Sequence, residues 1–264
     1  LVSRSVKKIT VKEESNNFLT KENVFMSGII ITILGFSFFI YYEQKTKFLS
    51  NKFKKISEKK YIPTSGNIWT FYLLLSFLFI FLIKFFIGIL FETPNIFFDE
   101  LAYTITANNI VKGSFPIIAE TSFTHGYPAA YSYAISPAHI LGSDMSVVYR
   151  MMLTINIVIS TLVMFPTYLI MKRFVSRKTS FITSLIVATI PAITLFSYQL
   201  MSESLFCLMF LVSTYLILKT FTYEDLNYKF FILTLITGLS VGFLVLIRAP
   251  GIAMFPALIA VVVY

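Results

Sequence analysis

The chain has 264 residues, of which 56% are hydrophobic and 13% charged, with a net charge of +9. Soluble domains carry about 25% charged residues, so this composition excludes an ordinary soluble domain. The single cysteine, Cys207, excludes a disulfide framework and a cysteine metal site. The positive charge is gathered in short connectors between apolar runs. That distribution orients a membrane protein and argues against nucleic acid as a partner.

Apolar runs of about 20 residues, the length of a helix that crosses a bilayer, recur along the chain. They predict an all-α integral membrane protein, a polytopic helical bundle of about seven spans with the last one incomplete. A retained signal anchor is the alternative for the first run. We divide the chain into residues 1–67, with a tail, an extra span and a basic connector, and a membrane domain at 68–264. The predicted spans are 24–42, 68–91, 146–171, 179–198, 203–221, 229–247 and 250 to the end.

The basic connectors predict which loops face which side. Residues 43–67 and 172–178 are rich in Lys and Arg, and we place both on the cytoplasmic side together with the loop around 222–229. The alternation of spans then puts the long loop 92–145 and the turns at 199–202 and 248–251 on the outer side.

The long outer loop is moderately polar, rich in Tyr and punctuated by Pro and Gly. Two stretches in it predict short helices: 99–112, closed by Gly113, and 129–141, bent or split at Pro137. Both are too short and too polar to span, so we expect them at the membrane interface. Their aromatic side chains are predicted to lie at headgroup depth, namely Tyr103, Tyr127, Tyr131 and Tyr133.

Three polar features are predicted to share the outer face. Asp99-Glu100 follows a span, Glu203 begins one within Ser202-Glu203-Ser204, and Arg248 lies between two. Each has a structural interpretation, because the acids can cap or favour helix N-termini and the arginine can reach the headgroups. Ionisable groups at span ends cost free energy, and their combination predicts a pocket for an anionic headgroup and a polar second substrate.

Other polar residues indicate structural roles. His125 and His139 lack acidic partners at ligand spacing and make a poor metal motif. Asn156, inside a span, is typical of residues that hold helices together. Cys207 and the methionines are interpreted as packing residues. No phosphate-binding glycine loop or nucleotide fingerprint occurs in the sequence.

The order of these motifs over residues 68–264 resembles the N-terminal part of the GT-C superfamily of membrane glycosyltransferases. The branch it resembles includes the dolichyl-phosphate-mannose protein mannosyltransferases and the aminoarabinose transferases of lipid A. The residues that carry the resemblance are Phe98-Asp99-Glu100-Leu101-Ala102-Tyr103, Gly126-Tyr127-Pro128, Tyr131-Ser132-Tyr133, Tyr149-Arg150, Asn156, Pro191, Ser202-Glu203-Ser204-Leu205-Phe206 and Arg248.

The resemblance implies transfer of a sugar from a polyprenyl- or dolichyl-phosphate donor to a hydroxyl of a protein, glycan or lipid acceptor, with inversion at the anomeric carbon. Asp99 would be the catalytic base, and the substrate-binding residues would be Glu100, Tyr103, Tyr127, Arg150, Glu203 and Arg248. Arg248, with help from Arg150, would stabilise the departing phosphate. No metal ligand is assigned, and a divalent cation bridging Asp99 and Glu203 is left open.

Two alternatives remain from the sequence: a transporter or flippase of a lipid-linked sugar, and a non-catalytic membrane subunit. A transporter favours ionisable residues in broken helices near the bilayer centre, whereas here they are predicted at one face. The Phe-, Ile- and Lys-rich composition favours the cell membrane of a prokaryote over an endoplasmic reticulum membrane.

Overall fold

The structure, a computed structural model, describes residues 66–90, 98–116, 118–121, 124–142, 144–222 and 227–254. Its elements are helices and one β-hairpin, which lies between the second and third helices. In chain order they are α1 (Gly66–Ile89), α2 (Phe98–Val111), β1 (Ile118–Thr121), β2 (Thr124–Pro128), α3 (Ala130–Ile135), α4 (Pro137–Leu141), α5 (Met145–Leu162), α6 (Met164–Met171), α7 (Arg177–Thr189), α8 (Pro191–Ser197), α9 (Glu203–Phe221), α10 (Tyr228–Ile247) and a 3₁₀ turn at Ala249–Ala253.

Within these residues, four helical segments are long and apolar enough to cross a membrane: Ile68–Ile89, Met145–Met171, Glu203–Phe221 and Tyr228–Ile247. A fifth results if α7 and α8, which meet at an angle of 51°, count as one bent span. This architecture is compatible with the predicted all-α membrane protein. The predicted count of seven is not confirmed, because the run at 24–42 and most of the run after residue 250 lie outside the described residues.

Two local predictions for the loop 92–145 are confirmed. The helix α2 ends at Val111, and Gly113 has a φ of +95°, a backbone conformation that glycine adopts without strain. The bend or split predicted at Pro137 is a split, since α3 ends at Ile135 and Pro137 occupies the first turn of α4. Neither helix was expected to span, and neither does.

Two features differ from the sequence prediction. The loop contains an antiparallel hairpin, with Ile118 opposite Pro128 and Thr121 opposite Thr124, and a register irregularity between Ala119 and Thr121. The predicted span 179–198 is broken at Pro191, which lacks an N–H to continue α7 and instead begins α8.

The helices pack as a bundle in which consecutive spans are neighbours. The helix α1 lies against α5, α6 lies against α7, and α9 pairs with α10. The helix α2 packs on α3 and the hairpin. Its buried face includes Ala102, Tyr103 and Ala107, which belong to one core cluster with residues of α5 and α9.

One lysine lies inside the bundle. Lys84, on α1, is 3% exposed, and its ammonium donates a hydrogen bond to Ser160 Oγ on α5 over 3.3 Å. An ionisable side chain at this position in a span needs protein around it, because the lipid offers no hydrogen-bond partner. The contact therefore fixes the register of α1 against α5.

Asn156 joins α5 to the broken span. Its Nδ2 donates to the carbonyl oxygens of Phe196 at 2.8 Å, Ser197 at 3.3 Å and Gln199 at 2.7 Å. Phe196 and Ser197 are the last two residues of α8 and Gln199 lies just beyond it, where carbonyl groups lack partners within the helix. The predicted helix-joining role of Asn156 is confirmed by these bonds.

We expect Asn156→Ala to lower the free energy of unfolding by about 1–2 kcal/mol, since hydrogen bonds between membrane helices contribute about 0.6 to 1.7 kcal/mol each. Thermal or denaturant unfolding in detergent measures it. The matched control is Asn109→Ala on the exposed side of α2, which should change stability by less than about 0.5 kcal/mol. Equal effects of both substitutions would contradict a joining role for Asn156.

Candidate functional site

An ion pair marks one end of the bundle, where α9 begins and the antiparallel α10 ends. Arg248 Nη1 lies 2.9 Å from Glu203 Oε1, and the side chains are 43% and 21% exposed. An ion pair with this exposure contributes about 0–1 kcal/mol to stability. The remaining guanidinium N–H groups can therefore serve an anion at little cost to the fold.

The turn after Arg248 is held tightly against α10. Gly251 N donates to Arg248 O at 2.9 Å, and a Cβ on Gly251 would lie 2.6 Å from the carbonyl carbon and oxygen of Leu244. A side chain at position 251 would thus displace backbone, so glycine permits the close return of the chain. The predicted turn between two apolar runs is confirmed, and it sets where Arg248 projects.

Helix α2 brings its first turn to the same end of the bundle. Tyr103 OH donates to Ser202 Oγ over 3.2 Å, directly before Glu203. Burial raises the pKa of Tyr103 to about 12, the hydrogen bond with Ser202 and the charge of Arg248 lower it, and the charges of Asp99 and Glu203 raise it further. The phenol therefore lies within electrostatic reach of all three charged residues.

Tyr127 connects the hairpin to Asp99. Its phenol donates a hydrogen bond to the Asp99 carboxylate, which raises the pKa of Tyr127, with a smaller contribution from burial. The rings of Tyr103 and Tyr127 lie 5.8 Å apart. Asp99 lies in the first turn of α2, where the helix dipole favours an anion. One phenol thus lies against a partly exposed carboxylate.

Glu100 faces the other way, into the protein. It is 2% exposed, and its Oε1 accepts a hydrogen bond from the Leu200 N–H at 2.7 Å. Burial raises the pKa of its carboxyl group, against the opposing effect of the Leu200 bond. The substrate contact that the resemblance implies for Glu100 is at odds with this burial.

Six of the seven predicted site residues come together: Asp99, Glu100, Tyr103, Tyr127, Glu203 and Arg248. Arg150 does not join them. It lies in the second turn of α5 with an exposed side chain. Among the described residues, no ion pair joins it to Glu203. The sequence does not separate Arg150 from the clustered residues, because α5 also begins on the predicted outer side.

Two of the aromatic side chains that were predicted to lie at headgroup depth are buried inside the protein. Tyr103 is 3% exposed and Tyr131 is fully buried, with their ring centroids 5.0 Å apart, so both form the core beneath the site. Tyr133, at 39% exposed, does lie at the surface. The spacing of Tyr131, Ile135 and Ala138, all fully buried, is the helical signal that identifies this inward face.

Ser202 was missed as a contact residue. It directly precedes α9, its φ and ψ of −68° and −10° are helical, and its side chain makes no capping hydrogen bond. Its hydroxyl instead accepts from Tyr103. Sequence spacing carries no signal for this contact, because it joins residues 99 positions apart.

Histidine and metal chemistry find no support in the described residues. His139, on α4, has a lowered pKa because of burial, opposed by its hydrogen bond to the Thr104 backbone. No group of three or more His, Cys, Asp or Glu side chains with ligand geometry occurs among the residues that the structure describes. The cation left open between Asp99 and Glu203 stays untested.

An apolar groove of about 470 Å³ runs between α9 and α10. Its lining begins at Leu246, two residues before Arg248, and at Met209, six residues after Glu203. It extends to Ile236, about 15 Å along α10 at 1.5 Å per residue. The groove therefore begins about two turns or less from the ion pair and continues into the apolar length of the two helices. It is lined by Met209, Val212, Leu216, Ile236, Leu239, Ser240, Gly242, Phe243 and Leu246.

Comparison with known proteins identifies no family. No protein-family model, curated protein or solved structure matches the chain. What the site does is therefore argued from its own chemistry.

Proposed function

We propose that this chain is a membrane glycosyltransferase that moves a sugar from a polyprenyl- or dolichyl-phosphate donor to an acceptor hydroxyl at the outer face of the cell membrane. One observation carries the proposal. A carboxylate held by a phenol, Asp99 with Tyr127, and a partly exposed cation, Arg248, lie at one end of an apolar helical bundle, beside a groove between two spans.

The donor chemistry fits this arrangement. The phosphate of a lipid-linked sugar stays in the headgroup layer while its prenyl chain stays in hydrocarbon. Arg248 would bind the phosphate by charge-assisted hydrogen bonds, and the groove between α9 and α10 would hold the first part of the chain. Glu203 keeps the guanidinium oriented before the donor arrives.

The reaction requires one base and one cation. The acceptor hydroxyl gives its proton to Asp99 as its oxygen bonds to the anomeric carbon. The bond from that carbon to the phosphate oxygen breaks, and the polyprenyl monophosphate leaves with its electron pair, its new charge held by Arg248. No general acid is needed, because phosphate is already a good leaving group.

A second candidate, a transporter of a lipid-linked sugar, draws support from Lys84, an ionisable residue enclosed within the bundle. The charges at the end of the bundle favour surface chemistry. The glycosyltransferase and the transporter would use the same lipid, so the product that each forms distinguishes the two functions.

The decisive experiment supplies membranes containing the protein with a prenyl-phosphate sugar labelled in the sugar. Transfer predicts that label appears in an acceptor as free prenyl monophosphate accumulates. Label that crosses a vesicle bilayer with the sugar–phosphate bond intact would identify the transporter instead. Neither outcome with any sugar would leave a non-catalytic subunit and overturn the proposal.

A further inference from the structure

The segment between α8 and α9, residues 198–202, directly precedes Glu203. We call it the connector; it is distinct from the basic connectors predicted on the cytoplasmic side. It receives side-chain hydrogen bonds from two directions: Asn156 on α5 donates to Gln199 O, and Glu100 and Tyr103 on α2 bond to Leu200 N and Ser202 Oγ. The next residue is Glu203, whose carboxylate meets Arg248. The position of the ion pair therefore depends on how the connector is held.

Glu100 makes the most buried of these contacts. Its carboxyl group is 2% exposed, and Leu200, whose N–H it accepts at 2.7 Å, is fully buried. The Leu200 N–H lies outside a regular helix, so without Glu100 it would be a buried donor in need of a partner. Glu100 and Tyr103 stand one helical turn apart, so one face of α2 holds both Leu200 and Ser202.

The second oxygen of Glu100 argues against a charged role. Oε2 is buried and has no hydrogen-bond partner among the described residues. Burial raises the pKa of the group, against the opposing effect of the Leu200 hydrogen bond, and the group lies within electrostatic reach of the Tyr131 phenol. A bare carboxylate oxygen in such a place costs more free energy than the oxygen of a neutral carboxylic acid.

We infer that Glu100 is a positioning residue, which acts through the Leu200 N–H to hold the connector and so places Glu203 and Arg248, without touching substrate. Glu100 supplies an uncharged hydrogen-bond acceptor on a side chain long enough to reach the Leu200 N–H. Its effect on transfer rests on the proposed function, but its effect on the connector does not.

Three substitutions separate an acceptor from a charge. Glu100→Gln removes the ionisable group and keeps an oxygen at the same reach, Glu100→Asp keeps an ionisable carboxyl group and shortens the reach, and Glu100→Leu removes both. Positioning predicts that Gln retains sugar transfer within about threefold of wild type, while Leu and Asp lose about tenfold or more, the range for an orphaned buried donor. Direct use of the charge predicts the reverse order, with Asp above Gln.

Hydrogen exchange at the Leu200 amide gives a readout that needs no activity. In the full chain in detergent, a peptide covering 198–202 should exchange as slowly in Glu100→Gln as in wild type and at least about tenfold faster in Glu100→Leu. If the Leu variant does not accumulate, Glu100→Asp takes its place in the same comparison.

The outcomes keep the two proposals apart. If no variant or wild type transfers sugar, the proposed function fails, and the exchange pattern still decides the positioning role. Equal exchange in all variants, or loss of transfer in Glu100→Gln with its Leu200 amide still protected, would overturn the inference.

Discussion

If the proposed transfer is correct, we expect Asp99→Asn to lower the rate of sugar transfer by about 10²–10⁴-fold, the range that a positioned general base contributes. The amide keeps an oxygen that can accept the Tyr127 hydrogen bond, and it differs from the acid by few atoms, so the fold is preserved. It cannot take the proton of an acceptor hydroxyl. Initial rates with saturating donor measure the loss, and thermal unfolding in detergent should show the wild-type midpoint within about 2 °C.

The same substitution at Asp144, Asp144→Asn, is the control. Asp144 lies before α5, fully exposed, and its carboxylate accepts from Ser146 N. Asparagine caps helices about as well as aspartate, so Asp144→Asn should leave both transfer and stability unchanged. Transfer by Asp99→Asn at the rate of Asp144→Asn would remove Asp99 from the chemistry.

Arg248→Gln should lower kcat/KM for the lipid donor by about 10²–10³-fold, as the loss of a group that stabilises developing charge does. The substitution also leaves Glu203 without its partner, which places a negative charge where the donor phosphate should bind. Arg248→Lys should recover part of the loss, because it restores the charge and not the paired N–H geometry. Steady-state kinetics with varied donor concentration separates the effect on binding from that on turnover.

Arg150→Gln removes an equal charge from an exposed site on α5. Because no described contact places Arg150 beside the ion pair, we expect less than a threefold change. A loss as large as that of Arg248→Gln would show that the donor phosphate lies between the two arginines, and the assignment of Arg248 as its principal partner would then be wrong.

The lengths of the apolar runs predicted most of the long helices, because a run of about 20 apolar residues has the length of a helix that crosses a bilayer. The break at Pro191 was missed although the proline was seen, since a proline inside a span can kink the helix, begin a new one or be absorbed by neighbours. The hairpin was missed because its two strands are short and the Pro and Gly residues around them are equally typical of an irregular loop.

The gathering of Asp99, Glu203 and Arg248 was foreseen from the parity of crossings, which assigns span ends to one side but gives no distances. Parity placed Arg150 on that side as well, but among the described residues no ion pair joins it to Glu203. The inward direction of Glu100 was not foreseen, because two adjacent acids at a helix start look equivalent in sequence. Their difference comes from the Leu200 N–H, 100 positions away.

The enclosed lysine of α1 has a consequence for biosynthesis. Ser160 follows Lys84 by 76 residues, so while the ribosome is still making α5, the first described span has no hydroxyl waiting for its ammonium. Lys84 lies five residues before the end of α1, where an uncompensated lysine costs less than the roughly 2.5–3.5 kcal/mol of a helix centre, and the apolar remainder of α1 must offset that cost. We expect the Lys84 ammonium to reach toward the headgroup layer until α5 emerges and Ser160 becomes its hydrogen-bond partner.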